Sequence, residues 1–367
     1  MKIKNIKVYK IDIPLKEGSY KWAHNNHVEK FDTSIVMLET DNNIIGLGEV
    51  CTLGSSYLPA YSKGVRSGIL EIGKALIGKD PTDIFNINLE MEKKLKGHPY
   101  VKSPIDMACW DIIGKNYKMP LWKLLGGKFG EQIHLYRAIS QESPEMMMQK
   151  VVEYKNEGYS KFQLKVGGMY QEDIERIKSV SSELDHTNIL VADANTGWKS
   201  HEAIKVVKQT KNLDVYIEQP CETYRDCVEI RRKTSNPFIL DESIDSLKNF
   251  LQAYDDGAMD IINIKISKLG GIFKSKQVRD LCVELKIPMT IEDSWGGDIA
   301  TAAISHLAHS TPENLRFSST DFNSYNSLSY TEGSPKRIDG KMKASNSYGL
   351  GVELDVSKIG EPEFVIS

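Results

Sequence analysis

The sequence predicts an α/β fold, a TIM-like (β/α)8 barrel preceded by an N-terminal α+β capping domain. Beyond residue 125, short apolar strand-like runs alternate with helical stretches, and eight such runs occur before residue 331. Each run ends in polar residues, as strands do at the active-site face of a barrel. No glycine-rich dinucleotide fingerprint follows any of them, which disfavours a doubly wound nucleotide-binding sheet.

The N-terminal domain, residues 1–125, has its strands first and its helices afterwards. Strands are expected at 2–15 and 33–50, and the turn-forming run Asp41-Asn42-Asn43 predicts that the second is a hairpin. Helices are expected at 60–78, 82–96 and 103–117. The last should begin with Ser103 as N-cap and Pro104 at the first helical position.

The barrel domain is predicted over residues 126–330. Its helices include 144–157, 171–184, 200–211 and 272–285. Residues 331–367 are polar and loop-rich, and their strand-like end, EFVIS, is expected to return to the capping domain. The eight strand-like runs are IHLYRAIS, KFQLKVGG, ILVADANTGW, DVYIEQP, PFILDES, DIINIKISK, PMTIEDSW and LRFSSTDF.

Composition narrows the class of protein. The 367 residues are 40% hydrophobic and 26% charged, with a net charge of −3, which predicts neither a nucleic-acid nor a membrane partner. Five cysteines without a CxxC pair favour reduced thiols over disulfides or a zinc site. With no signal-peptide pattern at the N-terminus, these features predict a cytoplasmic location.

Three consecutive strand-like runs each carry an acidic residue at their end: Asp193, Glu218 and Asp241. Adjacent parallel strands would place these carboxylates side by side, and such oxygen ligands suit a hard cation, Mg²⁺. A single aspartate at a strand end usually caps the following loop or helix. Three in succession make that explanation poor for the group, so the sequence predicts a magnesium site.

Two lysines, Lys165 and Lys265, end strands on either side of the acidic trio. One lysine there is explained by a structural ion pair, but two in symmetric positions suggest acid/base groups that approach one carbon from opposite faces. For a lysine of pKa ~10.4 to be half neutral at pH 7, its pKa must be lowered by an amount worth roughly 4–5 kcal/mol. Burial and a nearby dication can supply that shift.

These residues carry a resemblance that covers nearly the whole chain. Lys165, DAN (193–195), EQP (218–220), DE (241–242), IKISKLGG (264–271) and YGLGVELD (348–355) together resemble the muconate-lactonizing/mandelate racemase branch of the enolase superfamily. The resemblance implies Asp193, Glu218 and Asp241 as Mg²⁺ ligands and the two lysines as the acid/base pair. It also implies a homo-oligomer. Asn195 and Glu242 are expected next to the ligands.

One position departs from the family pattern. Many members carry Lys-x-Lys at the second strand, where this chain has Gln163-Leu164-Lys165. Gln163 either donates a hydrogen bond to a substrate carboxylate or is a polar barrel residue satisfied by a neighbour. Lys268 is expected in a supporting or loop position.

The substrate is expected to be a carboxylate whose α-proton is removed. EQPC together with EDSWGGD resembles the epimerases of proline betaine and hydroxyproline betaine and the cis-3-hydroxyproline dehydratases. Asp293 and the face of Trp295 would then receive a cationic nitrogen, and Tyr57 would close over it. In the alternative interpretation, Trp295 packs under its loop and Tyr57 is a surface residue.

The function predicted first is therefore a Mg²⁺-dependent racemase or epimerase with a two-lysine mechanism, acting on proline betaine or 4-hydroxyproline betaine. The alternatives are a cis-3-hydroxy-L-proline dehydratase with the same groups, and a cycloisomerase of the muconate type. A scaffold without activity is disfavoured because both lysines and all three acids are present.

Overall fold

The computed structural model describes residues 1–367, and an antiparallel sheet opens the molecule. The first five strands of the chain are β1 (Ile3–Pro14), β2 (Tyr20–Trp22), β3 (Asn26–Val28), β4 (Lys30–Thr40) and β5 (Ile45–Cys51). β1, β4 and β5 pair in that order, while β2 and β3 form a separate small ribbon. The β4–β5 hairpin confirms the turn expected at 41–43. Asn43 has a φ of 64°, in the left-handed region that asparagine tolerates.

Four helices follow, α1 (Ser62–Gly73), α2 (Ile84–Lys94), α3 (Pro99–Asn116) and α4 (Leu121–Leu124). The expected start of the third helix at Ser103 is wrong, because Pro99 occupies its first turn and Pro104 lies inside it. α3 is buried along nearly its whole length, so packing rather than the capping pattern sets where it begins. Gly48 permits the close approach of β5, since a Cβ there would lie 1.8 Å from the Pro104 carbonyl oxygen.

The predicted barrel is present and nearly closed. After β6 (Ile133–His134), its strands are β7 (Tyr136–Ile139), β8 (Lys161–Lys165), β9 (Ile189–Asp193), β10 (Tyr216–Glu218), β11 (Phe238–Leu240), β12 (Ile261–Lys265), β13 (Met289–Glu292) and β14 (Arg316–Ser319). All eight are parallel and neighbour one another in chain order. No ladder joins β7 to β14. Near that seam, the backbone N–H of Ala138 donates to the hydroxyl of Tyr325 at 2.8 Å.

The helices around the barrel are α5 (Pro144–Asn156), α6 (Tyr170–Ser181), α7 (Ser200–Gln209), α8 (Tyr224–Arg231), α9 (Leu247–Asp255), α10 (Ile266–Leu269), α11 (Ile272–Leu285) and α12 (Asp298–His309). Their apolar faces and the barrel strands form the main core, which continues onto one face of the N-terminal sheet. A second core lies between the other face of that sheet and α1–α3. None of the helices combines the length and the apolar character that crossing a membrane requires.

Buried carboxylates of the N-terminal domain bind the starts of two barrel helices. Glu49 accepts hydrogen bonds from the backbone N–H groups of Gly297 and Ala300, both at 2.8 Å, where α12 begins. Asp106 accepts one from Phe273 at 3.0 Å, where α11 begins. Free N–H groups at a helix start favour negative charge, so these carboxylates cap helices of the other domain.

The chain then returns to the N-terminal domain through a 3-10 helix (Phe322–Tyr325), β15 (Thr331–Glu332), β16 (Lys341–Met342), β17 (Glu353–Leu354), α13 (Val356–Ile359) and β18 (Phe364–Ile366). β18 pairs antiparallel with β1. Asp111 of α3 accepts the N–H of Leu350 at 2.8 Å and that of Leu47 at 3.0 Å, which ties this segment to β5. We call Glu49, Asp106 and Asp111 the joint carboxylates.

Candidate active site

The polar ends of the barrel strands converge on one buried site. Lys165 ends β8, Asp193 ends β9, Glu218 ends β10, Asp241 follows β11, and Lys265 ends β12. β8 and β12 are the second and sixth of eight strands, so the two lysines stand on opposite sides of the ring. The strands that carry the three acids lie between them. The topology therefore produces the arrangement that the sequence predicted.

Each lysine is held by one of the acids. The ammonium of Lys165 donates to Asp193, and the Nζ of Lys265 lies 2.6 Å from Oδ2 of Asp241. Burial by itself would lower the pKa of both lysines, but the carboxylates outweigh it and raise the pKa of both. The depressed pKa expected from the sequence is thus not found in this arrangement, because both ammonium groups are paired.

Glu218 has no lysine on it. Its carboxylate accepts hydrogen bonds from Nε2 of Gln163, at 3.2 and 3.1 Å, and from Nδ2 of Asn263, at 2.6 Å. Burial, followed by the charges of Asp193 and Asp241, raises the pKa of Glu218 well above its usual range. Of the two interpretations of Gln163, the structure shows the one in which a neighbouring side chain satisfies it.

The acidic trio suits a divalent cation by its donor chemistry. Three buried carboxylates on adjacent strands repel one another, as the raised pKa of Glu218 shows, and a hard cation relieves such repulsion. No group of three His, Cys, Asp or Glu side chains stands in a metal-binding arrangement, because lysines are the close partners of Asp193 and Asp241. The Mg²⁺ site stays a prediction, with a donor set that fits it.

Lys268, Asn195 and Glu242 surround the trio. Lys268 donates to the backbone carbonyl of Asp241 and to its Oδ1, the latter at 2.7 Å. It therefore supports this predicted ligand at one carboxylate oxygen, while Lys265 binds the other, Oδ2. The Nδ2 of Asn195 lies 3.0 Å from Oε1 of Glu242, and its backbone N–H donates to Asp193. Burial, then Asp241 and Asp193, raises the pKa of Glu242 to about 7.

The predicted substrate contacts line the same small cavity, of about 20 Å³. The hydroxyl of Tyr57 lies 2.5 Å from Nζ of Lys265 and 3.0 Å from Oδ2 of Asp241, so it meets the lysine directly. Asp293 binds the backbone N–H and hydroxyl of Ser267 and the N–H of Ser294, and burial raises its pKa to about 7.

Trp295 is enclosed by aromatic rings. Its ring centroid lies 4.4 Å from that of Phe31, which is stacked on it at 23°, and 4.8 Å from that of Phe322. Tyr20 and Tyr325 pack against it at 5.0 and 5.3 Å. This is the packing arrangement that the sequence offered as the alternative, and a contact of Trp295 with a cationic nitrogen stays a prediction.

The cavity residues that the sequence did not predict include a hydrogen-bonded pair, Glu292 at the end of β13 and Tyr136 at the start of β7. The hydroxyl of Tyr136 donates to Oε2 of Glu292, while Oε1 is buried without a hydrogen-bond partner. Strand alternation offered the signal. Just as Gln163 and Lys165 share the inward face of their strand, Thr290 and Glu292 share the inward face of β13. The sequence prediction chose the next acid, Asp293, instead.

Comparison with known proteins agrees with this geometry. Residues 20–126 match the family "Mandelate racemase / muconate lactonizing enzyme, N-terminal domain", and residues 146–358 match "Enolase C-terminal domain-like". The chain is 54% identical over 362 residues to the cis-3-hydroxy-L-proline dehydratase of Roseibium aggregatum, with 99% of each chain covered. It is 30% identical to the N-succinyl-L-Arg/Lys racemase of Bacillus cereus, over 84% of this chain and 85% of the relative.

Solved structures agree as well. A mandelate racemase/muconate lactonizing enzyme from Roseovarius nubinhibens superimposes with a TM-score of 0.96 at 36% identity, covering 100% of this chain and 98% of that one. Another from the same organism, complexed with magnesium, gives a TM-score of 0.97 at 28% identity with both chains fully covered.

Fold and site together define an enzyme built on a capped (β/α)8 barrel, with its charged groups at the strand ends. The chain belongs to the mandelate racemase/muconate lactonizing enzyme branch of the enolase superfamily.

Proposed function

We propose that this enzyme is a Mg²⁺-dependent dehydratase of a 3-hydroxyproline, with cis-3-hydroxy-L-proline as the first substrate to test. The observation that carries the proposal is the pair of lysines on opposite sides of the barrel mouth. The 54% identity with a cis-3-hydroxy-L-proline dehydratase supports this substrate. From the sequence alone we expect an epimerase of proline betaines first and this dehydratase second, whereas the 54% identity favours the dehydratase.

The stereochemistry of the substrate matches two opposed lysines. In a cis-3-hydroxyproline, the carboxylate and the hydroxyl share one face of the ring, so the α-proton lies on the face opposite the hydroxyl. One lysine, as a neutral amine, takes the α-proton, and the electron pair of the C–H bond becomes the new C=C bond. The other lysine, as an ammonium, protonates the departing hydroxyl, which leaves as water.

Asp193, Glu218 and Asp241 would hold the metal ion. When bound there, Mg²⁺ would supply positive charge beside the substrate carboxylate, and the acids that hold it would no longer raise the pKa of the lysines as they do in its absence. Other side chains position these acids: Gln163 and Asn263 orient Glu218, and Lys268 binds Asp241. A small amino acid is the partner that this small cavity supports, because charged side chains and aromatic rings line it together.

A second candidate is 2-epimerisation, and the same pair of lysines favours it. Where a substrate has no leaving group next to the α-carbon, the opposite lysine can only return the proton, which inverts the centre. Relatives named as a racemase and as epimerases show that such activity occurs in this branch. A muconate-type cycloisomerase is third.

Proton NMR in D₂O tests the proposal, with Mg²⁺ present and then removed by a chelator. The substrates are cis-3-hydroxy-L-proline, proline, proline betaine and 4-hydroxyproline betaine. We expect a ring-unsaturated or imine product from the first only, and only with Mg²⁺. Loss of the α-proton signal from a betaine, with its ring intact and no dehydration of the first compound, would establish the epimerase instead. No reaction of any compound would overturn both.

A further inference from the structure

We propose that Glu292 receives the ring nitrogen of the substrate, and that its free oxygen selects a secondary ammonium over an N,N-dimethylated one. This inference rests on the proposed function, since it names the group that recognises the amino-acid nitrogen at the same site. It separates free prolines from proline betaines, which share every other feature that the lysines and acids can recognise.

Glu292 is a buried acid with unused acceptor capacity. Its residue exposure is 1%, and its Oε2 accepts a hydrogen bond from the hydroxyl of Tyr136. Its Oε1 is buried without any hydrogen-bond partner, and the nearest cation, Nζ of Lys265, is 3.9 Å away and is held by Asp241 at 2.6 Å. A buried carboxylate oxygen left in this state is costly, and a donor from a ligand removes that cost.

The position of Glu292 in the ring matches that of an α-nitrogen. The acids lie on the third to fifth strands, so the cation that they would hold faces the substrate carboxylate from that side, and the lysines on the second and sixth strands flank the α-carbon. The other substituents of that carbon must then point to the seventh, eighth and first strands. Glu292 ends the seventh strand and Tyr136 starts the first, so the pair lies where the nitrogen and the ring would be.

Asp293, the acid that the sequence favoured for this task, has no comparable capacity. Its Oδ1 lies 3.2 Å from the N–H of Ser267 and 2.7 Å from that of Ser294, while its Oδ2 lies 3.1 Å from the N–H of Ser267 and 2.8 Å from its hydroxyl. A carboxylate offers about four acceptor positions. Three donors of the chain thus engage both oxygens of Asp293, whereas Oε1 of Glu292 accepts none, so Glu292 is the acid with an unused oxygen for a ligand.

The chemistry of the two nitrogen types then decides specificity. A free proline carries an NH₂⁺ group with two N–H donors, one of which can satisfy Oε1 in a charge-assisted hydrogen bond. A betaine nitrogen carries two methyl groups and no donor, so Oε1 would stay without a partner and would face methyl groups instead.

Calorimetric titration of the Mg²⁺-loaded enzyme with L-proline and with L-proline betaine tests the inference without turnover of a hydroxyproline. We expect wild type to bind proline about 10- to 100-fold more tightly than the betaine. Glu292→Gln should lose most of this ratio by weakening proline alone, whereas Asp293→Asn should retain it. Glu292→Asp, which keeps the charge, should keep part of the ratio and serves if the glutamine variant does not fold.

An unchanged ratio in Glu292→Gln, equal or tighter binding of the betaine by wild type, or no binding of either ligand would overturn the inference. Its failure is separable from that of the proposed function. If cis-3-hydroxy-L-proline is dehydrated but the ratio does not depend on Glu292, only the inference fails. If the ratio depends on Glu292 while no hydroxyproline is dehydrated, only the proposed reaction fails.

Discussion

Two sets of buried carboxylates occupy this molecule, the joint carboxylates between the domains and the acids at the barrel mouth. Glu49, Asp106 and Asp111 each accept backbone N–H donors together with a side-chain donor, and the chain itself supplies them all. Asp193, Glu218 and Asp241 instead face lysines, amides and one another. At the mouth, Oε2 of Glu242 and Oε1 of Glu292 are buried without a hydrogen-bond partner.

This difference in hydrogen-bond partners distinguishes buried carboxylates that stabilise the fold from buried carboxylates that are available to bind a ligand. A carboxylate whose acceptors are filled by backbone groups contributes to stability and has little left to offer a ligand. A carboxylate beside other acids costs stability, and the cost is recovered when a cation or substrate binds. Burial alone does not distinguish the two, but filled acceptors in one set, and neighbouring acids with unused oxygens in the other, do.

The largest effect is expected at the lysines. Lys165→Met and Lys265→Met should each lower the dehydration rate by at least ~10²–10⁴-fold, the usual contribution of a positioned acid or base. Progress curves by NMR measure this. Lys161→Met is the matched control, since Lys161 begins β8, the strand that Lys165 ends, and so lies at the opposite end of the barrel from the site. Full activity in either lysine variant would contradict the two-lysine reaction.

Glu218→Gln should separate activity from stability at the mouth. The change removes a predicted Mg²⁺ ligand, so activity should fall by ~10²-fold or more, the scale of a lost catalytic interaction. It also removes one of three repelling charges, and the side-chain amides of Gln163 and Asn263 can turn to meet the new group.

In the presence of a chelator, the glutamine variant should therefore be at least as stable as wild type in urea. Calorimetry should show weaker Mg²⁺ binding by the same variant. If the variant were less stable than wild type and bound Mg²⁺ equally well, Glu218 would have a structural role, like the joint carboxylates, and would not be a metal ligand.

Glu49→Gln should show the opposite outcome at the joint. A glutamine has one acceptor oxygen, so its NH₂ group would face the backbone N–H of Gly297 or Ala300, and neither can turn away. We expect a loss of about 1–3 kcal/mol in the free energy of unfolding, with most of the activity kept. Urea denaturation and steady-state rates give both values, and a variant that lost activity but no stability would break the comparison.

The last effect concerns acid stability and leaves the protein at neutral pH unaffected. His306 accepts the N–H of Trp122 at Nδ1, and its Nε2 lies 3.0 Å from the carbonyl oxygen of Leu350. Burial lowers the pKa of His306 to about 4. The unfolded chain takes up this proton near pH ~6.5. Stability should therefore be present above that pH and be lost as pH falls toward 4, by an amount on the order of 3 kcal/mol.

His306→Gln should flatten this pH dependence in urea melts between those pH values, whereas His201→Gln, on the surface helix α7, should leave it unchanged. An identical pH profile in wild type and His306→Gln would show that other groups set the acid limit.

The sequence predicted the barrel and its strand ends because apolar runs and their polar ends follow the strand–helix rhythm directly. Lys165 and Lys265 were recognised because lysine is unusual on an inward strand face. Glu292 was missed because Asp293 stood next to it with the same charge, and only contacts distinguish a filled carboxylate from an open one. The start of α3 was misplaced because its position depends on burial between two domains, which no local pattern encodes.

The cap that Glu49 places on α12 has a consequence for protein engineering. β5 carries Glu49 and leads within a few residues to Tyr57, so one strand both fixes a barrel helix and delivers a side chain to the lysine. A capping domain transplanted from a relative would bring its own acid and its own loop together. Hybrid enzymes of this branch should therefore take residues 49–111 from one parent, so that the joint carboxylates and Tyr57 are exchanged together.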